Sequence, residues 1–154
     1  MNSLDALNML GPEYALFGLF FAFHNRLQTT GDEFYEEITC KQFFLMACMN
    51  LFPTEPPTAN DLAKVMGCTR QNVKELLTGL EKKGLVTFAP HKTDKRKRLV
   101  LVTEKAIVLS EKYRAREVEF IRRLYEGVSE DEIRQTYMFL AKLEDNLKKF
   151  TEEI

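Results

Sequence analysis

The residues of this chain best suited to chemistry are hydrogen-bond donors and cations gathered in two short clusters. The first is Arg70, Gln71, Asn72 and Lys74, directly after Thr69. Arg and Lys recognise guanine, and Gln and Asn recognise adenine through two hydrogen bonds. Arg70, Gln71 and Asn72 are the favoured base readers, Lys74 serves a base or a phosphate, and Thr69 combines helix capping with a phosphate contact. The second cluster is Lys95, Arg96, Lys97 and Arg98, four successive cations that repel one another until a polyanion relieves the cost. Each cluster also has a plainer reading, as the polar face of an amphipathic helix and as a solvated charge run. For the first cluster alone the plainer reading is the better one; its placement just before the second reverses that balance.

No other constellation competes. The scattered Asp, Glu and His residues form no catalytic set, and there is no glycine-rich phosphate loop, nucleophile elbow or metal-ligand motif. Cys40, Cys48 and Cys68 contain no Cys-x-x-Cys pair, and His24 and His91 lie far apart. The expectation is a protein that is not an enzyme and needs no cofactor and no metal.

Charge is divided sharply along the 154 residues. The net charge is -1, yet between Pro53 and Thr103 ten basic side chains face five acidic ones, a surplus of five, which leaves -6 for the flanks. Contact with a polyanion is thereby concentrated in the middle of the chain. A composition 45% hydrophobic and 29% charged is ordinary for a globular protein. The densest apolar run, Tyr14 to Phe23, is too short for a bilayer and lacks the basic leader of a signal peptide, so the expected location is cytoplasmic with no membrane partner.

The elements that must position the two clusters follow from caps and periodicity. Residues 4 to 27 form an apolar helix, broken or bent near Gly11-Pro12, with more Phe and Leu than one face requires. Thr29 to Glu37 is polar and contains glycine, which predicts a connection or a frayed end. Thr39 and Gln42 make a capping box for a second helix through Leu51, stopped by Pro53, Pro56 and Pro57. Thr58 and Asp61 open a short third helix ended by Gly67. Thr69 then caps a helix with Val73, Leu76, Leu77 and Leu80 on one stripe and Gly84 as its stop. Two short helices joined by so tight a turn are a helix-turn-helix. Leu85, Val86 and Phe88, then Leu99 to Val102, read as strands of a hairpin whose tip carries the second basic cluster, which makes the hairpin a wing. Thr103 caps a long helix to about Tyr125, and Ser129 with Glu132 caps a last amphipathic one. The fold expected is mainly α with a small β wing. Residues 39–103 are the winged helix-turn-helix, and 1–38 with 104–154 are a helical dimerisation lobe.

The stretch Leu62 to Thr103 resembles the MarR family of regulators. The matching words are Leu62-Ala63, Leu80-Glu81-Lys82-Lys83-Gly84-Leu85-Val86, Asp94-x-Arg96 and Val102-Thr103-Glu104-Lys105. The helical order on either side extends the resemblance over nearly the whole chain. It implies a pincer-shaped homodimer on an inverted-repeat duplex operator, with the first and last helices at the interface. In the resemblance Arg96 enters the minor groove and Asp94 orients it. Three positions depart from the pattern: Phe88 stands where many members have arginine, Ala106 replaces a common glycine, and Gly79 replaces a larger residue. Gly79 should cost its helix roughly 1 kcal/mol relative to alanine.

The resemblance also implies repression, relieved in many members by a small aromatic or amphipathic effector between the dimer and DNA lobes. Phe17, Phe20, Phe21, Phe43, Phe44 and Met46 read first as core. Candidate lining residues for such a cleft are Tyr14, Phe17, Phe21, His24 and Phe44. Cys68, before a helix start and near Arg70, is the best placed thiol for redox sensing, although a small turn residue is the plainer reading. The peroxide-sensing branch uses a cysteine near the start of the first helix, which this chain lacks, so oxidation is expected to leave DNA binding unchanged. His91 reads as a surface residue, and Arg98 as a partner for Asp94 or a phosphate. The rival function is a winged helix that binds protein rather than specific DNA.

Overall fold

The computed structural model describes residues 3–152. The chain packs as two units, Met1–Glu111 and Lys112–Ile154. Helices α1 (Ser3–Leu7), α2 (Pro12–Phe34), α3 (Cys40–Met49), α4 (Ala59–Met66) and α5 (Arg70–Lys82) precede strands β1 (Val86–Pro90) and β2 (Arg98–Val102) in the first unit. Helix α6 (Glu104–Leu124) starts there and ends in the second unit, which also holds α7 (Glu130–Glu152). This is the mainly helical fold with a small β wing that the caps and periodicity predict.

The predicted break at Gly11-Pro12 falls between α1 and α2, with Pro12 at the helix start, where its missing N–H costs nothing. The expectation for Thr29 to Glu37 needs correction, because α2 continues to Phe34. Gly31 is buried in the helix, not a breaker: a Cβ there would lie 2.5 Å from Cys40 Sγ and 2.7 Å from its Cβ. The glycine permits close approach of α2 and α3. Asp32 Oδ1 secures the junction by accepting the Cys40 N–H at 2.7 Å.

Every helix start predicted from a Ser or Thr cap in the helix-turn-helix is present. Thr39 and Gln42 form a reciprocal capping box, as do Thr58 and Asp61. Gly67 closes α4 in the left-handed conformation, φ 64° and ψ 33°, and the chain turns at once into α5. Leu45 of α3, Leu62 of α4, Val73 and Leu80 of α5, Leu85 and Val100 are fully buried, a core that unites the three helices with the sheet. Burying a side chain of this kind contributes roughly 1.5–3 kcal/mol.

The strands are antiparallel, with Val86 opposite Val102, Phe88 opposite Val100 and Pro90 opposite Arg98. A bridge between Thr58 and Leu99 adds a stub of third strand, and the Val100 N–H donates to Pro57 O at 2.8 Å. Thr103 joins two helix ends: its hydroxyl donates to Gly84 O at 2.7 Å and accepts the Ala106 N–H at 3.3 Å. Lys105 Nζ donates to Lys83 O at 2.6 Å, satisfying a carbonyl at the C-terminal end of α5.

In the second unit, Glu119 accepts hydrogen bonds from Arg122 and Arg123, and these hold its carboxyl down at about 2. Ser129 and Glu132 cap α7 reciprocally: the Ser129 N–H reaches Glu132 Oε2 at 2.8 Å and the Glu132 N–H reaches Ser129 Oγ at 3.3 Å. Tyr137, Met138, Leu147 and Phe150 of α7 are exposed. Among the described residues no helix is long and apolar enough to cross a membrane.

Candidate nucleic-acid interface

Helix α5 presents its polar residues because its apolar ones are committed to the core. Thr69 caps it, in extended conformation, and its side chain accepts the Asn72 N–H at 3.2 Å. Val73, Leu77 and Leu80 are buried, which leaves Arg70, Gln71, Asn72 and Lys74 exposed on the first turns. The N–H groups of a helix start carry a partial positive charge beside them, suited to phosphate. Gln71 has an intrahelical partner one turn on: Nε2 donates to Glu75 Oε1 at 3.1 Å.

The far end of α5 is tied to the start of α3. Gln42 is buried, and its Oε1 accepts from the Thr39 N–H at 3.2 Å and from Lys83 Nζ at 3.0 Å. Lys83 Nζ also reaches Glu37 O at 2.6 Å.

The wing turn is closed by the His91 N–H donating to Lys97 O at 3.1 Å and the Lys97 N–H donating to Asp94 O at 2.9 Å. Asp94 Oδ1 accepts the Arg96 N–H at 3.1 Å and Arg96 Nε–H at 3.3 Å. The Arg96 backbone N–H first, then its guanidinium, hold the Asp94 carboxyl below the usual carboxylate range. Asp94 therefore braces an arginine whose side chain is 93% exposed. Lys95 and Lys97 are exposed beside it.

Arg98 does something the sequence did not suggest. Its guanidinium carbon lies 4.5 Å from the centroid of the Phe88 ring, a cation–π contact rather than a pairing with Asp94. The register explains it: Phe88 faces Val100, so Arg98, two residues along β2, is its diagonal neighbour on the same side of the hairpin. The residue that departs from the family pattern thus holds a wing cation.

His91 also needs correction as a surface residue. Only 18% of its side chain is exposed, and it sits inside the turn. Its Nδ1 accepts the N–H of Thr93 at 3.3 Å and of Asp94 at 3.2 Å, and Nε2 lies 3.4 Å from Glu55 Oε1. A local signal existed: a side-chain acceptor taking the amides two and three residues onward is how Asn, Asp, Ser and Thr initiate turns. Glu55, Asp61, Lys64, His91 and Lys97 line a recess of about 510 Å³ beside the start of α4. The Asp61 carboxyl there is held low, first by the Thr58 hydroxyl, with Lys64 and Lys97 adding to it.

The residues proposed for an effector cleft lie elsewhere, and all are exposed. Tyr14, Phe17, Phe21 and His24 follow α2, and Phe44 lies on α3. Phe17 and Phe21 meet edge to face with centroids 5.2 Å apart. Among the described residues no group of three or more His, Cys, Asp or Glu is placed to hold a metal ion.

Comparison with known proteins agrees with this architecture. The family model described as MarR family matches residues 38–97. The transcriptional activatory protein BadR of Rhodopseudomonas palustris is 27% identical, covering 96% of this chain and 86% of that protein. The structure of MepR from Staphylococcus aureus in complex with DNA superposes with a TM-score of 0.77 at 25% identity, covering 89% of this chain and 99% of that one. A MarR/EmrR family transcriptional regulator from an Acinetobacter species gives a TM-score of 0.79 at 18% identity, covering 91% and 99%.

Proposed function

We propose that this chain, whose residues 38–97 match the MarR family model, is a homodimeric DNA-binding repressor of an inverted-repeat operator. The observation that carries the reading is a recognition helix whose first turns expose Arg70, Gln71, Asn72 and Lys74, combined with a wing that exposes an Asp94-braced Arg96. In this reading Arg70, Gln71 and Asn72 meet base edges, and Thr69, Lys74, Lys95 and Lys97 meet phosphates. Arg96 enters the minor groove, and Arg98 adds charge at the base of the wing. The solved MepR relative is a DNA complex, which supports the assignment.

Residues 39–103 read DNA in this account, and residues 1–38 with 104–154 form the dimerisation lobe; its ends, 1–2 and 153–154, lie outside the described residues. Support comes from apolar side chains that a lone chain leaves in water: Phe17 and Phe21 on α2, and Tyr137, Leu147 and Phe150 on α7. Exposed apolar surface on this scale marks an interaction site. Two-fold symmetry places two recognition helices about 34–36 Å apart, matching one turn of DNA. An aromatic or amphipathic effector seated against Tyr14, Phe17, Phe21, His24 and Phe44 relieves repression by changing that spacing. BadR is named as an activator; the sign of regulation follows from where an operator lies relative to its promoter.

Selection from randomised duplex DNA, with the mass of the free protein measured by sedimentation, tests the proposal. An enriched inverted repeat and a dimer mass are expected. A monomer mass at working concentration rules out the symmetric reading, and absence of any salt-sensitive duplex binding rules out the whole of it. Transcription in vitro from a promoter overlapping the selected site, with a panel of small aromatic compounds, tests repression and its relief.

A further inference from the structure

We propose that His91 is a positioning residue for the wing arginine, acting through Asp94 and held in register by Glu55. The proposal rests on the reading of the wing as a DNA contact. Backbone amides can only donate, so the two that converge on His91 Nδ1, from Thr93 at 3.3 Å and Asp94 at 3.2 Å, require a lone pair there. The ring proton is then on Nε2, which faces Glu55 Oε1 at 3.4 Å. The carboxylate favours this tautomer and ring orientation, as carboxylates paired with histidine do elsewhere.

The consequence reaches Arg96 in two steps. The Asp94 amide is fixed by His91, and the Asp94 carboxylate is fixed on the Arg96 N–H at 3.1 Å and on Nε at 3.3 Å. The series Glu55, His91, Asp94, Arg96 runs from the loop before α4 to the wing tip, and the exposed guanidinium is its last member. An arginine surrounded by water loses rotamer freedom when it enters a groove, and a side chain already braced loses less. His91 therefore contributes to affinity without touching DNA.

The test compares two duplexes: a full inverted repeat with flanking base pairs that reach the wings, and one trimmed to end before them. His91→Leu removes the acceptor, and His91→Asn keeps an oxygen near the Nδ1 position. On the flanked duplex His91→Leu is expected to weaken binding about five-fold, the scale of one hydrogen bond, and His91→Asn to recover most of the loss. On the trimmed duplex all variants should bind alike, which also reports that they fold. Added to Arg96→Ala, His91→Leu should cost nothing further. Equal loss on both duplexes, or full additivity with Arg96→Ala, overturns the proposal.

Nuclear magnetic resonance of the free protein decides independently of DNA. The Arg96 Nε–H signal should move toward that of a solvated arginine in His91→Leu and stay in place in His91→Asn. An unmoved signal in His91→Leu overturns the proposal. If the parent protein binds neither duplex, the DNA reading fails while this measurement still rules on His91.

Discussion

Gln42 occupies the space that a side chain at Gly79 would fill: a Cβ on Gly79 would lie 2.6 Å from Gln42 Nε2, well inside van der Waals contact. The glycine that looked like a helix defect is where the buried amide of α3 passes against the recognition helix.

Gly79→Ala should therefore destabilise the fold although it improves helix propensity. The propensity gain is about 1 kcal/mol, and disturbing a buried, doubly accepting amide costs about 1–3 kcal/mol, so a net loss of about 1 kcal/mol is expected. Urea unfolding checks it. In a Gln42→Ala background the same substitution should become stabilising, and a loss there too would remove the explanation.

Gln71 must leave Glu75 to reach a base edge, and Glu75 itself faces any approaching phosphate with like charge. Glu75→Gln should raise duplex affinity about two- to five-fold at low salt, with a smaller gain at high salt. Anisotropy titrations at two salt concentrations would show it.

Base readers and wing cations should separate by their signatures. Arg70→Ala should cost roughly 1–3 kcal/mol and relax selectivity at one position of each half-site. Lys95→Ala or Lys97→Ala should weaken all sequences alike and make the salt dependence shallower. A lysine variant that alters the selected sequence would contradict the assignment.

The capping box of α4 carries a pH dependence. The Asp61 carboxyl is depressed, first by the Thr58 hydroxyl. A depressed carboxylate contributes stability that is complete above its unfolded value, about 3.9, and is lost as pH falls through the folded value. Asp61→Asn should cost about 1 kcal/mol at neutral pH, and the difference from the parent should close below about pH 4. Unfolding curves from pH 7 to 3 test this.

The thiols of α3 are poor sensors. Burial, then Asp32, pushes the Cys40 thiol up, and burial, then the nearby Cys68, does the same for Cys48. Less thiolate means slower oxidation. Peroxide followed by reductant should leave duplex affinity within about two-fold; reversible loss of binding would place a switch at Cys40, Cys48 or Cys68 after all.

What could be read from the sequence was local. Thr39, Thr58, Thr69, Thr103 and Ser129 announce helix starts because a cap and its amide are three residues apart. Helix α5 is equally plain from its apolar stripe, and the two strands from short runs of β-branched and aliphatic residues. The misread positions depend on partners distant in the chain. Gly31 resembles a breaker until Cys40 is seen against it, and Gly79 resembles a flaw until Gln42 is. The Arg98–Phe88 contact needs the hairpin register, and the His91–Glu55 pairing needs a loop folded back from before α4. The bracing of Arg96 by Asp94 is what the family resemblance implies, and the contact spans two residues.

The Thr58–Leu99 bridge and the bond from Val100 to Pro57 fasten the wing sheet to the entry of the helix-turn-helix. The hairpin base therefore has little freedom to slide, and in the proposed DNA reading the gap between the start of α5 and the wing tip acts as a fixed calliper. Inserting or deleting one base pair between a half-site core and its flank would leave either groove contact satisfied but not both.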